Sequence, residues 1–204
     1  MIVIVDYGLG NLRSVAGAVE RLGQEALISS RADDVVGAAR LILPGVGAFG
    51  DGMRNLRERG LRDALEDAVR GRGTPILGIC LGAELMARDS DEFGHHEGLG
   101  WIDASVTKLA PADASLPIPH VGWNTVRRRG DDPLLAGVPD EAWFYFVHSY
   151  HIACRDCPAI VAETDYGGPV LAAFHVGNIY GTQFHPEKSQ RHGLTVLRNF
   201  MAQA

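Results

Sequence analysis

Apolar residues fall into short runs, Ile2-Val3-Ile4-Val5, Ala26-Leu27-Ile28, Leu41-Ile42-Leu43 and Ile76-Leu77-Gly78-Ile79, each flanked by polar residues, glycine or proline. Runs of this length without polar alternation predict strands at 2–6, 26–28, 41–43 and 75–79, buried on both faces as in a parallel sheet. The spacing between them turns helical. From about Asn11, the residues Leu12, Val15, Ala16, Val19 and Leu22 recur every three or four positions, with Gly23 as a stop. Over about 61–69, Leu61, Ala64, Leu65 and Ala68 make one apolar face. Strands separated by helices predict βαβ units with helices on both faces of the sheet.

Beyond Trp101 the pattern changes to strands with little helix between them, at 101–109, 120–127, 142–149, 159–164, 170–176 and 179–184. Val176-Gly177-Asn178-Ile179 sets Gly-Asn between two apolar runs, a hairpin turn. A last helix over about 190–202 directs Leu194, Leu197, Phe200 and Met201 inward. The expected fold is α/β: a mostly parallel central sheet flanked by helices, with an additional antiparallel strand portion in the C-terminal half, as one domain spanning 1–204.

Composition narrows the classes. A hydrophobic fraction of 46% and a charged fraction of 22% over 204 residues are those of a chain that buries a core. A formal charge of −6 gives no basic excess for a phosphate backbone, so no nucleic-acid partner is expected. No stretch approaches the roughly 18 apolar residues that span a bilayer, and the five-residue apolar start lacks a basic flank, so neither a membrane segment nor a signal peptide is read. Three cysteines form no disulfide framework, which fits a reducing, cytoplasmic setting.

Candidate chemistry concentrates at three strand ends. Gly78-Ile79-Cys80-Leu81-Gly82 joins a strand to the start of a helix, the pattern of a sharp nucleophile elbow. A thiol at a helix start is expected to favour its thiolate; taken alone, Cys80 also reads as a small buried apolar residue. In His185-Pro186-Glu187 the proline favours an extended tripeptide, which would put the imidazole and the carboxylate on one side, two thirds of a catalytic triad. Pro44-Gly45-Val46-Gly47-Ala48-Phe49-Gly50 can expose backbone amides as an oxyanion hole at Val46 and Gly47, with the Leu81 amide as a second donor. A plain glycine turn or a phosphate loop is the alternative, although the Lys and Ser/Thr of a P-loop are missing.

These three segments together resemble the triad class (class I) of glutamine amidotransferase domains. Further segments are similar to the glutaminase subunits of imidazole glycerol phosphate synthases: Asp6-Tyr7-Gly8-x-Gly10-Asn11-Leu12-Arg13-Ser14, Pro119-His120-Val121-Gly122-Trp123-Asn124, His148-Ser149-Tyr150 and Glu187-Lys188-Ser189-Gln190. The match spans nearly the whole chain. The resemblance implies Cys80, His185 and Glu187 as catalytic residues acting on L-glutamine without a cofactor or metal. It implies Gly45, Glu84, Ser149 and Tyr150 at the glutamine site, and Asn11, Trp123, Asn124 and Lys188 at an interface. The partner there would be a (β/α)₈-barrel cyclase subunit, forming a heterodimer in which ammonia passes on to make imidazole glycerol phosphate and AICAR for histidine biosynthesis. Each interface residue also has a local reading: Asn11 as a helix cap, Trp123 as a core aromatic. Tyr150 likewise reads as a packing residue.

One position departs from the pattern. The family usually has Gln four residues after the nucleophile, where this chain has Glu84, so an altered glutamine affinity or pH dependence is expected. A peptidase or γ-glutamyl hydrolase on the same scaffold, and a non-catalytic synthase-activating subunit, stay open as alternatives. His148, His151, Cys154 and Cys157 have a spacing reminiscent of zinc, but positions 148 and 151 of one strand face opposite sides.

Overall fold

The structure, a computed structural model, describes residues 1–154 and 159–202. In chain order its elements are β1 (Ile2–Val5), α1 (Leu12–Glu20), β2 (Ala26–Ser29), α2 (Ala32–Val36), β3 (Arg40–Gly45), α3 (Phe49–Glu58), α4 (Leu61–Glu66), β4 (Ile76–Cys80), α5 (Leu81–Glu84), β5 (Ala87–Ser90) and β6 (His96–Glu97). There follow β7 (Ile102–Lys108), β8 (His120–Arg128), β9 (Ala142–His148), β10 (Tyr150–Ala153), β11 (Ile160–Asp165), β12 (Pro169–Val176), β13 (Ile179–Thr182) and α6 (Gln190–Ala202).

Nine strands form one sheet in the order β2-β1-β3-β4-β13-β12-β11-β8-β9. The first five run parallel to one another and every pairing from β13–β12 onward is antiparallel, so the fold is α/β with the antiparallel portion in the C-terminal half. Three of the four uninterrupted apolar runs have their reason in two-sided burial; the fourth, in β2, forms the edge of the sheet and leaves Leu27 38% exposed. Val3, Val5, Leu41, Leu43 and Ile76 face one core with Leu56, Leu61 and Leu65, while Ile2, Ile4, Ile42, Leu77 and Ile79 face the other with Val15, Val19, Val196, Leu197 and Phe200. Each such aliphatic side chain, fully buried, contributes about 1.5–3 kcal/mol.

Some boundaries differ from the sequence reading. The strand expected over 142–149 ends at His148; the chain then leaves the large sheet, and β10 joins a second sheet ordered β10-β7-β5-β6. β5 and β6 are short and polar in sequence, Ala-Arg-Asp-Ser and His-Glu, and carry no alternation that would announce them. The helix over 61–69 is α4 followed by a wider π turn, Asp67–Gly71. The Asn178 side chain closes that turn by donating to Val69 O at 2.8 Å and Thr74 O at 2.9 Å. The Gly177-Asn178 hairpin is present, with Val176 opposite Ile179. β3, β4 and β13 lie side by side, so the segments after them share one end of the sheet, where parallel α/β sheets gather ligands.

Candidate active site

Cys80 ends β4 and opens α5 at φ 53° and ψ −115°, a backbone conformation that non-glycine residues rarely adopt. The turn is possible because both flanking glycines lie against backbone. A Cβ on Gly78 would come 2.6 Å from Ala83 Cα, and one on Gly82 would overlap the Leu43 carbonyl of the neighbouring strand. Gly82→Ala is therefore expected to cost about 3 kcal/mol or more, because two backbone segments must separate. Gly23→Ala is the control: φ is +74° there, but the space is open, and the expected cost is about 1 kcal/mol. Urea denaturation of both variants distinguishes the cases; equal losses would refute the packing argument.

Above the elbow lies a pocket of about 300 Å³. Cys80, Leu81 and Glu84 line it from the elbow, Val46 and Gly47 from the loop after β3, and Ser149 and Tyr150 from the junction between β9 and β10. Glu92, Pro119, Val147 and His148 complete the lining, and sequence reasoning missed all four for this site. Gly45 lies just below, where a Cβ would run into the Tyr7 hydroxyl; that hydroxyl is buried and has no hydrogen-bond partner. Glu92 accepts from Phe49 N at 2.6 Å, tying the pocket wall to the first residue of α3, directly after the glycine loop. Only an acidic residue in an otherwise unpatterned loop signalled it.

His185 and Glu187 meet as expected: His185 Nδ1 and Glu187 Oε1 are 2.8 Å apart, with side chains 2% and 1% exposed. The route differs from an extended tripeptide. His185 itself is extended (φ −96°, ψ 97°), but Pro186–Lys188 is a 3₁₀ turn with proline at its start. Ser189 Oγ anchors that turn, donating to His185 O at 2.6 Å and accepting from Tyr145 N at 3.0 Å. His185 Nε2 is buried and has no partner. With Nδ1–H bonded to the carboxylate, Nε2 is free to accept a proton.

The expected thiolate is corrected. Burial pushes the Cys80 thiol up, and the Glu84 charge pushes it further; the opposing Leu81 backbone N–H is the smaller effect. Desolvation outweighs the amides of a helix only four residues long. The thiol points to Val147 O at 3.8 Å.

Glu84 is 5% exposed and accepts from Gln183 Nε2 at 2.8 Å. Burial raises its carboxyl to about 7, the Gln183 bond opposing and the Glu92 charge adding. A carboxyl raised in the folded state adds stability below its unfolded value near 4.5, and that stability is lost as pH rises through about 7. The ionised form thus costs on the order of 3 kcal/mol at pH 8. Glu84→Gln keeps an acceptor for Gln183 and is expected to raise the melting temperature by several degrees at pH 8 but hardly at pH 5. In kinetics, the ratio of mutant to wild-type glutaminase kcat/KM is expected to climb several-fold from pH 6 to 9, as the ionised Glu84 of the wild type opposes thiolate formation. A ratio flat across that range would refute the assignment.

The four interface candidates divide. Trp123 is 42% exposed, not a core residue, and meets the Tyr145 ring edge-on at 6.1 Å, while the Lys188 ammonium lies 5.6 Å from the same ring. Asn11 caps α1, accepting from Ser14 N at 3.4 Å, and Asn124 donates to Asp165 O at 2.8 Å. Of the zinc-like set, His148 Nδ1 lies 2.7 Å from Tyr150 O, and among the described residues no three His, Cys, Asp or Glu side chains are grouped to hold a metal. Cys157 lies outside the described residues. Among the described residues no helix is long and apolar enough to cross a membrane.

Comparison with known proteins bears on the family and the fold. The sequence model of the family described as "Glutamine amidotransferase class-I" matches residues 3–204. The chain is 47% identical to imidazole glycerol phosphate synthase subunit HisH of Symbiobacterium thermophilum, covering 98% of this chain and 92% of the relative. It is 44% identical to the HisH subunit of Rhodospirillum rubrum, over 98% and 97% of the two chains. Among solved structures, a glutamine amidotransferase superposes with a TM-score of 0.75 at 21% identity, over 98% of this chain and 96% of that one. A chain of PurLQS from Thermotoga maritima gives 0.72 at 18%, over 98% and 96%; at these identities the likeness is one of fold. Coverage this complete, at more than two residues in five identical, means that the chain belongs to the class-I glutamine amidotransferase family, in the group of HisH subunits of imidazole glycerol phosphate synthase.

Proposed function

We propose that the chain is the glutaminase of an imidazole glycerol phosphate synthase. As one cytoplasmic domain in a heterodimer, it hydrolyses L-glutamine and passes the ammonia to a (β/α)₈-barrel cyclase subunit that makes imidazole glycerol phosphate and AICAR for histidine biosynthesis. The observation that carries the reading is a strained Cys80 opening into a pocket at the same sheet end as a buried, carboxylate-held imidazole with a free Nε2.

Cys80 Sγ attacks the side-chain amide carbon of glutamine, and His185 Nε2 takes the thiol proton and delivers it to the departing ammonia. Water then attacks the thioester carbon, Sγ leaves with the returned proton, and glutamate is released. Donors at Val46 or Gly47 and at Leu81 hold the oxyanion. Ser149 and Tyr150, with Gly45 and Glu84 beneath, surround the amino-acid end; the Glu92 carboxylate suits an α-ammonium. Trp123 and Lys188, with Asn124 next to Trp123 in the chain and Asn11 at the cap of α1, meet the partner. In the free chain the thiol is turned to Val147 O and held protonated, so the attack awaits realignment.

The test is glutamate release from L-glutamine by the chain alone and with the cyclase subunit. Release that rises with the cyclase and its substrate supports the reading; equal turnover of γ-glutamyl conjugates without any partner would replace it with a hydrolase.

A further inference from the structure

Two buried histidines outside the triad lie in a continuous chain of hydrogen bonds. Asn124 Nδ2 is 3.3 Å from His120 Nε2, His120 Nδ1 is 3.1 Å from His148 Nε2, and His148 Nδ1 is 2.7 Å from Tyr150 O. The two ends fix every proton. An amide Nδ2 only donates, so His120 Nε2 accepts and His120 Nδ1 carries the hydrogen; a carbonyl only accepts, so His148 Nδ1 donates and His148 Nε2 accepts. All three bonds are satisfied at once when both rings are neutral and protonated on Nδ1, and the chain then runs in one direction, from Asn124 to Tyr150.

The surroundings hold it there. The His120 ring stacks between Tyr166 at 3.9 Å and Phe146 at 4.8 Å, and Tyr166 is itself tied to Pro117 O at 2.7 Å. Asn124 is fixed on its other side by Asp165 O at 2.8 Å and Thr125 N at 2.8 Å. Desolvation holds His120 down to about 4 and His148 to about 3, so both rings are neutral at physiological pH. At the pocket end, Ser149 O is taken by Leu109 N at 2.9 Å and Tyr150 O by His148, so the backbone of the pocket wall is held at consecutive carbonyls. His148 lines the pocket; His120 does not.

We propose that Asn124, His120 and His148 form a one-way hydrogen-bond relay that fixes the Ser149–Tyr150 wall of the glutamine pocket, making His120 a positioning residue that sets glutamine affinity without touching the ligand. The inference rests on the pocket's being the glutamine site. It also gives the surface beside exposed Trp123 a direct mechanical link to that pocket.

The test joins a spectroscopic and a kinetic readout. Nitrogen-15 histidine spectra of the full chain are expected to show His120 and His148 with Nδ1 protonated and Nε2 unprotonated, unchanged from pH 8 to 6. In the complex with the cyclase subunit, His120→Leu, which leaves His148 Nε2 without its donor, is expected to raise the glutamine KM about tenfold while kcat moves less than threefold. Asn124→Ala, at a partly exposed position that folding tolerates, is expected to raise KM about threefold. It decides the matter if His120→Leu does not fold. Either ring protonated on Nε2, or KM within 1.5-fold of wild type in the folded variants, overturns the relay. Wild-type protein that releases no glutamate would instead refute the glutaminase reading, and the tautomers would then decide the relay by themselves.

Discussion

Cys80→Ala is expected to lower partner-stimulated glutamate release by about 10⁴-fold or more, the scale seen when a covalent nucleophile is removed and only binding and oxyanion stabilisation remain. The substitution is nearly silent for the fold. The side chain is small, its bond to Val147 O is long at 3.8 Å, and the strained φ of 53° is kept by the Gly78 and Gly82 packing on either side. The complex supplied with ammonium instead of glutamine is therefore expected to retain cyclase activity within twofold. That pairing separates chemistry from structure: loss of both activities would make Cys80 an architectural residue, and glutamate release above a hundredth of wild type would remove it as the nucleophile. A thiol held above its ordinary range makes the result more informative. Burial and the Glu84 charge push the resting thiol up and Sγ points to Val147 O, so the proposed mechanism includes a movement of Sγ toward His185 Nε2.

What the sequence made legible was local. Gly-x-Cys-x-Gly announces an elbow because only glycine lets the backbones of β3 and α5 approach, and Gly177-Asn178 announces a hairpin because few other pairs accept that turn. Doubly buried strands announce themselves by lacking alternation. What stayed hidden depends on distant packing. Glu92 enters the pocket through its bond to Phe49 N, 43 residues away, and nothing in its own loop marks it. α3 was missed because Phe-Gly-Asp-Gly-Met-Arg-Asn-Leu-Arg-Glu carries two glycines and few apolar residues, and its helix is stabilised by burying Phe49, Met53 and Leu56. The raised thiol is invisible to a rule about helix starts, since it follows from desolvation by burial with the Glu84 charge adding to it. The same applies to His148: its strand phase argued against zinc, but its role in holding Tyr150 O depends on β9 ending where the chain changes sheets.

Glu187→Gln is expected to reduce kcat for glutamate release by about 10³–10⁴-fold with KM within threefold, and the reason is the tautomer, not the loss of a charge alone. The carboxylate can only accept, so it fixes the hydrogen of neutral His185 on Nδ1 across 2.8 Å and leaves Nε2 open to the thiol proton. A glutamine side chain in the same place can donate its amide N–H to Nδ1, which moves the ring hydrogen to Nε2 and closes the position that must accept. The comparable change in a serine triad costs about 10⁴. The fold should tolerate it, because the turn is held independently by Ser189 between His185 O and Tyr145 N. Nitrogen-15 spectra of His185 are expected to show Nε2 unprotonated in wild type and protonated in the variant, at unchanged melting temperature. If the tautomer switches but kcat stays within tenfold of wild type, His185 is not the base that takes the Cys80 proton; if the tautomer does not switch, the carboxylate is not what orients the ring. The orienting role of Glu187 and the basic role of His185 can thus fail separately, which removal of the sulfur cannot reveal.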